Sequence, residues 1–286
     1  MMYREFSSQE ELDAQYNLRE TVDDFQSYAD FYVEESEDAR ERLECHLDVS
    51  YGQTHAEHLD IFPAKRSDAP VVLFIHGGYW HSLSSKEFSF VAKGLVKAGV
   101  TTAVLNYALC PDVTIDEIVR QSRAAVAWLL ENADEYGGDS SSVFVAGHSA
   151  GGHLTAMVLS TEWEEKYGIS SEEILGGCAI SGLFDLEPFP YTYLQPKLQL
   201  TWGQVRRNSP IRHVPDSAPP LIITYGESET SEIHRQSEEY FEEWKQNGLD
   251  GDIFCQPNKN HYTAIEDFLE PNSPLCNAIL EMMEVK

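Results

Sequence analysis

The chain has 286 residues, of which 42% are hydrophobic, and its 48 acidic residues against 20 Lys and Arg give a formal net charge of -28. Many α/β proteins of this length fold as one unit around a single large core. No repeat or low-complexity linker divides the sequence, so we expect a single domain over residues 1–286. Its negative field repels nucleic-acid phosphates and anionic membrane faces, which excludes both as expected partners.

The cysteines and the first residues indicate a reducing compartment. The 5 cysteines are odd in number and widely spaced, with no CxxC pair and no histidine cluster at zinc spacing. This pattern is typical of free thiols rather than of a disulfide framework or a zinc site. The N-terminal sequence lacks the apolar core of a signal peptide, and no apolar run approaches membrane-spanning length. The sequence predicts a cytoplasmic protein without a metal ion.

Residues 1–48 predict a helical segment ahead of the main fold. They are acidic, carry apolar side chains at helical spacing and contain no glycine. Two roles stay open for these helices: they pack against the core, or they also cover a functional site.

Strand and helix patterns then alternate along the chain. Predicted strands lie at residues 46–51, 58–62, 71–75, 101–106, 142–146, 177–180, 221–225 and 252–256, and predicted helices at residues 86–98, 116–135, 150–163, 232–247 and 263–284. Such alternation predicts a mostly parallel sheet with helices on both faces, and it places functional sites at the carboxyl ends of the strands. Residues 183–216 interrupt this alternation, because they are rich in proline and aromatic side chains and show no clear period. They predict a cap-like insertion over the site.

The sequence Gly-His-Ser-Ala-Gly at residues 147–151 lies between a predicted strand and a predicted helix. A serine in a sharp strand-to-helix turn needs small neighbours, because only then can the backbone close and the hydroxyl stand clear of the sheet. This context predicts a nucleophile elbow of the α/β-hydrolase fold, with Ser149 as the nucleophile.

The sequence His-Gly-Gly-Tyr-Trp at residues 76–80 follows the central strand upstream of Ser149. In this fold, the loop at that position supplies backbone amides to the oxyanion hole. We therefore expect the amides of Gly78 and Tyr79, together with the amide of Ala150 after the nucleophile, to bind the developing oxyanion.

A serine nucleophile needs a histidine base, which in this fold follows the last strand. His261 is the histidine at that position. Its carboxylate partner should follow the preceding strand, where Glu229 is the first candidate and Glu227 its rival. Asp185, one strand earlier, is a third candidate at an alternative position.

Several segments resemble the kynurenine formamidase (arylformamidase) group of α/β-hydrolases, which neighbours the hormone-sensitive-lipase-like carboxylesterases. They are residues 13–17, 59–63, 76–80, 147–154 and 235–237. The Tyr79-Trp80 ending of the segment 76–80 is the part that best separates the formamidase group from the lipase-like esterases. Those esterases carry a third glycine where this chain has Tyr79. Glu229 departs from the aspartate that is common in the family.

The resemblance implies hydrolysis of an aryl formamide such as N-formylkynurenine, through a formyl-enzyme on Ser149, without a cofactor. It also implies a homodimer. Trp80, Tyr79 and Phe184 would form an apolar wall for the aromatic leaving group, although ordinary core packing is the alternative for each. Two other functions stay open: a carboxylesterase acting on small acyl esters with the same catalytic groups, and a hydrolase-fold binding protein without catalysis.

Overall fold

The protein is described here from a computed structural model that covers residues 2–170 and 173–285. Its strands are β1 (His46–Ser50), β2 (His58–Phe62), β3 (Ala69–Ile75), β4 (Thr101–Leu105), β5 (Gly138–His148), β6 (Ile174–Ile180), β7 (Leu221–Gly226) and β8 (Gly251–Gln256). They form one 8-stranded sheet in the order β1-β2-β4-β3-β5-β6-β7-β8. The first two strands pair antiparallel with their neighbours, and every pairing from β4 to β8 is parallel.

The α-helices are α1 (Gln9–Tyr16), α2 (Phe25–Arg42), α3 (Ala92–Lys97), α4 (Ile115–Asn132), α5 (Ala150–Leu159), α6 (Trp163–Tyr167), α7 (Gln195–Leu198), α8 (Trp202–Arg207), α9 (Ser231–Gln246) and α10 (Pro274–Met282). Shorter 3₁₀ segments are Leu18–Thr21, Ser85–Glu87, Ser89–Val91, Ala133–Tyr136, Phe189–Tyr191, Pro210–Arg212 and Thr263–Leu269. None of the helices in the described part of the chain combines the length and hydropathy needed to span a bilayer.

The central strand β3 shows why both faces of the sheet are covered. All of its residues are buried, and their side chains alternate between two apolar clusters. One cluster joins the sheet to α4, α5 and α9, and the other joins it to α2, α3 and α10. A strand buried on both faces reads as a continuous apolar run, as this one does. The predicted fold class, a mostly parallel α/β sheet flanked by helices, is confirmed.

Two predicted helices are interrupted in the structure. The stretch 86–98 consists of two 3₁₀ segments followed by the short helix α3, and the stretch 263–284 consists of Thr263–Leu269 and α10. Pro271 and Pro274 separate the latter two, because proline has no N–H to continue a helix and fixes its own φ angle. Pro274 instead occupies the first turn of α10, where that N–H is not needed.

The N-terminal helices pack across the carboxyl ends of the strands. The Tyr16 hydroxyl at the end of α1 donates a hydrogen bond to Glu232 of α9 at 2.8 Å, and the Tyr32 hydroxyl of α2 donates to the carbonyl of Tyr262 at 2.6 Å. Both tyrosines are buried. Residues 9–42 are thereby attached to the part of the fold that follows β7.

Many side chains of the segment 183–216 pack into the apolar core. Among its side chains, Leu183, Phe184, Leu186, Phe189, Leu194 and Val205 are at most 1% exposed. One of its residues, Tyr193, reaches the cavity described below. Five of the residues that line the cavity lie within residues 17–32, and the cap-like role of the segment 183–216 stays a prediction.

Candidate active site

Ser149 lies in a sharp turn between the end of β5 and the start of α5. Its φ of 58° and ψ of -118° belong to a region that residues with a side chain rarely adopt. The turn is possible because its neighbours are small: a Cβ on Gly151 would lie 1.9 Å from the carbonyl oxygen of Ile75. The Ser149 amide donates to the carbonyl of Ile180 at 2.8 Å, which anchors the turn to β6.

The turn after β3 lies directly beside Ser149. Gly78 has a φ of 104°, and a Cβ there would lie 2.1 Å from the Ser82 carbonyl oxygen, so the position requires glycine. The Gly78 carbonyl accepts hydrogen bonds from the amides of His81 and Ser82, both at 3.1 Å. These bonds close the turn and occupy the Gly78 carbonyl.

Three backbone amides near Ser149 are left without an acceptor. Within the residues that the structure describes, the N–H groups of Gly78, Tyr79 and Ala150 donate to no protein group. Ala150 is buried and Gly78 and Tyr79 are half-buried, and amides with little access to water are usually paired. Unpaired amides grouped beside a serine form a site that can receive an oxygen atom from a ligand.

His261 is paired with Glu229. Its Nδ1 lies 2.6 Å from Glu229 Oε2, and the exposed fractions of the two side chains are 6% and 0%. The other carboxylate oxygen, Oε1, accepts from the Ser181 hydroxyl at 2.5 Å and from the Gly226 amide at 2.8 Å. An acceptor at Nδ1 fixes the tautomer in which Nε2 is free to accept a proton.

The structure pairs His261 with neither rival carboxylate. Glu227 accepts from the backbone amide of Asn258 at 2.9 Å on the surface of the loop. Asp185 accepts from the hydroxyl of Tyr3 at 3.0 Å. The geometry therefore favours Glu229 among the three candidates.

A second histidine supports the first. Nε2 of His148, the last residue of β5, donates to the carbonyl of His261 at 2.9 Å, and the two rings lie 4.6 Å apart. Burial holds the pKa of His148 well below its usual range, so its ring stays neutral. Ser149 and His261 line the same cavity, with no hydrogen bond between their side chains in this structure. Such contacts are often longer without substrate than in the reacting complex.

The cavity above Ser149 has a volume of about 330 Å³ and mostly apolar walls. Its lining residues are Asn17, Leu18, Arg19, Phe25, Tyr32, Gly77, Gly78, Tyr79, His81, Ser82, Leu83, Phe88, His148, Ser149, Tyr193, His261 and Tyr262. The N-terminal segment thus contributes five of the lining residues, and Tyr262 beside His261 stacks on Tyr28 at 5.3 Å.

Two of the three residues predicted to contact the substrate do not line this cavity. Trp80 and Phe184 are both 0% exposed. The Trp80 indole donates to His153 Nδ1 at 3.1 Å, and the Phe184 ring stacks on Tyr240 at 4.5 Å, so both are core residues. Tyr79 does line the cavity, and its hydroxyl donates to the Tyr16 carbonyl at 2.7 Å.

The residues that sequence reasoning missed come mainly from residues 17–32 and from the neighbourhood of the catalytic histidine. Phe25 and Tyr262 are half-buried aromatic side chains 5.3 Å apart. Their aromatic character was visible in the sequence, but their meeting depends on how α2 crosses the sheet. Ser181 donates a hydrogen bond to Glu229. Its place as the first residue after β6, at the carboxyl end of a strand, was a weaker sequence indication that it belongs to the site.

One cluster in the described residues has the atoms of a metal site, and it lies outside the cavity. Asp48, His58 and Asp60 place ligand atoms within 4.8 Å of one another. Their carboxylates bind Lys86, whose Nζ lies 2.8 Å from Asp48 and 2.8 Å from Asp60. The lysine ammonium already supplies the positive charge at this cluster.

Comparison with known proteins gives a consistent result over nearly the whole chain. A family model described as BD-FAE matches residues 59–244. The kynurenine formamidase of Salmo salar is 33% identical over 279 residues, which are 94% of this chain and 93% of that protein. The kynurenine formamidase of Danio rerio is 32% identical over 289 residues, covering 96% and 97%. A crystal structure from Silicibacter sp. TM1040, of a protein provisionally assigned as a thioesterase, has a TM-score of 0.82 and 28% identity over 94% of this chain and 98% of that one.

Proposed function

We propose, on the premise that this chain belongs to the kynurenine formamidase group of the BD-FAE family of α/β-hydrolases, that it cleaves an aryl formamide such as N-formylkynurenine. The products are formate and the free arylamine. The observation that carries the proposal is the buried His261–Glu229 pair, because His261 lines the same apolar cavity as the strained Ser149.

In the proposed mechanism, Ser149 Oγ attacks the formyl carbon while His261 Nε2 takes the hydroxyl proton. Glu229 keeps Nδ1 protonated and stabilises the imidazolium that forms. The amides of Gly78, Tyr79 and Ala150 donate to the developing oxyanion, an interaction typically worth about 3 kcal/mol per donor.

The imidazolium then protonates the leaving nitrogen, and the arylamine departs from a formyl ester on Ser149. Water, deprotonated by His261, attacks this ester and releases formate. The apolar walls formed by Phe25, Tyr193 and Tyr262 suit a flat aromatic leaving group. These residues replace Trp80 and Phe184 as the proposed substrate contacts.

A carboxylesterase acting on small acyl esters is the second candidate. Esters are easier acyl donors than anilides, and the same serine, histidine and amides serve both reactions. The structural likeness to a protein provisionally assigned as a thioesterase favours keeping this candidate.

A hydrolase-fold binding protein without catalysis is the third reading. It disagrees with the local geometry, because a binding pocket has no need for the strained φ of Ser149 or for the buried His261–Glu229 pair. Labelling of the folded protein by a fluorophosphonate probe, abolished in Ser149→Ala, separates an enzyme from a binding protein.

The deciding experiment compares kcat/KM for N-formylkynurenine, p-nitrophenyl acetate and p-nitrophenyl butyrate, using wild type and Ser149→Ala. We expect the formamide to be the best substrate and Ser149→Ala to lower its turnover by at least about 10⁴-fold. Turnover of the esters alone would identify a carboxylesterase. If Ser149→Ala kept both the formamidase and the esterase activity, Ser149 would not be the nucleophile.

The setting of the reaction is also a proposal. The net charge of -28 and a sequence pI of about 4.5 disfavour nucleic acid as a partner. We propose a cytoplasmic homodimer acting on a small molecule. Light scattering tests the dimer, and fractionation of the source cells tests the location.

A further inference from the structure

One cationic side chain at the catalytic cavity takes no part in the mechanism above. Arg19 lies in the 3₁₀ segment Leu18–Thr21, which follows α1 and crosses the cavity. Among the described lining residues, it is the one with a permanent positive charge, and no carboxylate lines the cavity. In a chain with 48 acidic and 20 basic residues, a cavity lined by one permanent cation and no carboxylate is unusual, although the carboxylates of Asp13 and Glu20 lie near its Tyr193.

The guanidinium of Arg19 is not neutralised by the protein. Arg4, Arg120 and Arg235 each form an ion pair with a carboxylate at 2.8 Å or less. Arg19 has no such partner in the part of the chain that the structure describes. Its guanidinium instead lies over the Phe25 ring, 4.6 Å from the ring centre.

This contact orients the cation without using its hydrogen-bond donors. A guanidinium stacked on an aromatic face keeps its five N–H groups at the edge of its plane, where they match the two oxygens of a carboxylate. Phe25 also packs against Tyr262, next to His261. The cation is thus held on the same aromatic surface that faces the reacting groups.

The charge of Arg19 acts on both sides of the cavity. Burial raises the pKa of Tyr193 to about 12, and the charge on Arg19 opposes that rise. Burial lowers the pKa of His81, and Lys197 and Arg19 lower it further. The nearby carboxylate of Asp13 already accepts from the Tyr193 amide at 2.8 Å.

We infer that Arg19 determines substrate specificity by binding a carboxylate at the end of the substrate remote from the bond cleaved. The substrate class is then an aryl formamide or ester whose aromatic part carries an acidic side chain. This inference rests on the proposed function for the position of the reacting carbonyl. In this arrangement, the aromatic ring of the substrate packs on Phe25 and Tyr262, and the carboxylate of the substrate binds the Arg19 guanidinium.

The test compares matched substrates with and without the carboxylate. N-formylkynurenine is paired with its methyl ester, and 4-acetoxyphenylacetate with its methyl ester, on wild type, Arg19→Gln and Arg19→Lys. Arg66→Gln is the control variant, because Arg66 is exposed, has no ion pair with any described residue and does not line the cavity.

With Arg19→Gln, we expect kcat/KM for the acids to fall about 10- to 30-fold, mainly through KM, as for loss of a charged hydrogen bond. Values for the methyl esters should change less than about twofold, and Arg19→Lys should restore part of the loss. The difference between acid and ester should shrink as salt screens the exposed charge.

Equal effects of Arg19→Gln on acid and methyl ester, or no effect on either, would overturn the inference. Because one substrate pair is a formamide and the other an acetate ester, failure of the Arg19 inference can be told apart from failure of the proposed function. If wild type cleaves only the acetoxy compounds, the formamidase proposal fails, while the acetoxy pair still decides the role of Arg19. Unfolding temperatures of all variants exclude a general loss of structure.

Discussion

Glu229 pairs with the catalytic histidine at a position where an aspartate is common. Aspartate is common at this position in the family that the sequence resembles, and the longer glutamate side chain here reaches His261 Nδ1 at 2.6 Å. Its second oxygen is held by Ser181 and by the Gly226 amide. A carboxylate restrained at both oxygens keeps one rotamer, which orients the imidazole.

We predict that Glu229→Gln lowers kcat by about 10⁴-fold with little change in the fold, because an amide cannot stabilise the imidazolium and favours the wrong tautomer. Glu227→Gln is the matched control, since Glu227 lies in the same loop and contacts a surface amide. Steady-state kinetics of both variants check this. A larger loss in Glu227→Gln would reassign the acid.

For the catalytic residues, sequence motifs were sufficient to identify Ser149 and His261 but not their acidic partner. The small residues around Ser149 and the position of His261 after the last strand are local signals. The choice between Glu229 and Glu227 depends on how the loop after β7 closes, which two glutamates two positions apart do not reveal. The expectation for Trp80 failed because its indole is held by His153 in the core.

At the scale of elements, the N-terminal segment joins the oxyanion turn to the rest of the fold. The Tyr79 hydroxyl donates to the carbonyl of Tyr16, and the Tyr16 hydroxyl donates to Glu232 of α9. Gln236 of the same helix donates to the Tyr16 hydroxyl at 2.9 Å. Tyr16 therefore links the turn that carries Gly78 to α9.

We predict that Tyr79→Phe lowers kcat about 3- to 10-fold and leaves KM nearly unchanged, because loss of the bond to Tyr16 loosens the turn that carries two oxyanion amides. Tyr51→Phe is the control: its buried hydroxyl donates to the Asn106 carbonyl at 2.9 Å, away from the cavity. Both variants should lose about 1 kcal/mol of unfolding free energy. An equal change in kcat for both would argue against a positioning role of Tyr79.

Element boundaries were predictable where the sequence carries an explicit stop. Gly137 adopts a left-handed conformation after Ala133–Tyr136, as its position after the predicted helix 116–135 suggests. The break at residues 86–91 has no proline or glycine. The capping box of Ser84 and Glu87 begins the segment Ser85–Glu87, which ends at Phe88 because that residue leaves the helical conformation, with a φ of -122° and a ψ of 9°. The packing of these 3₁₀ segments against α2 overrides the helical spacing of their apolar residues.

For the molecule as a whole, alternating strands and helices were sufficient to predict the sheet. Continuous apolar runs predicted the buried parallel strands, and the nucleophile motif located the functional end of the sheet. The path of the N-terminal segment was not predictable, because its aromatic residues fit equally a helix on the core and a cover over the cavity. The single-domain organisation stays a prediction.

Buried histidines give the protein a pH-dependent stability. Burial lowers the pKa of His76 and of His153 to about 4. In an unfolded chain the histidine pKa is about 6.5. Between these values the unfolded chain binds protons that the native protein does not bind. The free energy of unfolding therefore falls as the pH falls from about 6.5 to 4, by up to about 3 kcal/mol for each histidine.

We predict that the urea midpoint drops between pH 7 and pH 5, and that His153→Gln makes this drop smaller. Glutamine retains a donor for the Asn208 carbonyl and an acceptor for the Trp80 indole, which are the partners of His153. The exposed His55→Gln serves as the control and should keep the wild-type slope. An unchanged slope in His153→Gln would remove this histidine as a cause.

The attachment of the N-terminal segment has a consequence for synthesis on the ribosome. The helix α1 is translated early, yet Phe189 and Glu232, which contact its buried Tyr16, are translated late. We expect α1 to emerge with its apolar face uncovered and to dock only when α9 has formed. Tyr32 of α2 meets Phe88 and Phe90 sooner, and its hydrogen bond to the Tyr262 carbonyl forms last. For most of translation, the apolar face of α1 is therefore available to chaperones, and the cavity closes as one of the last steps of folding.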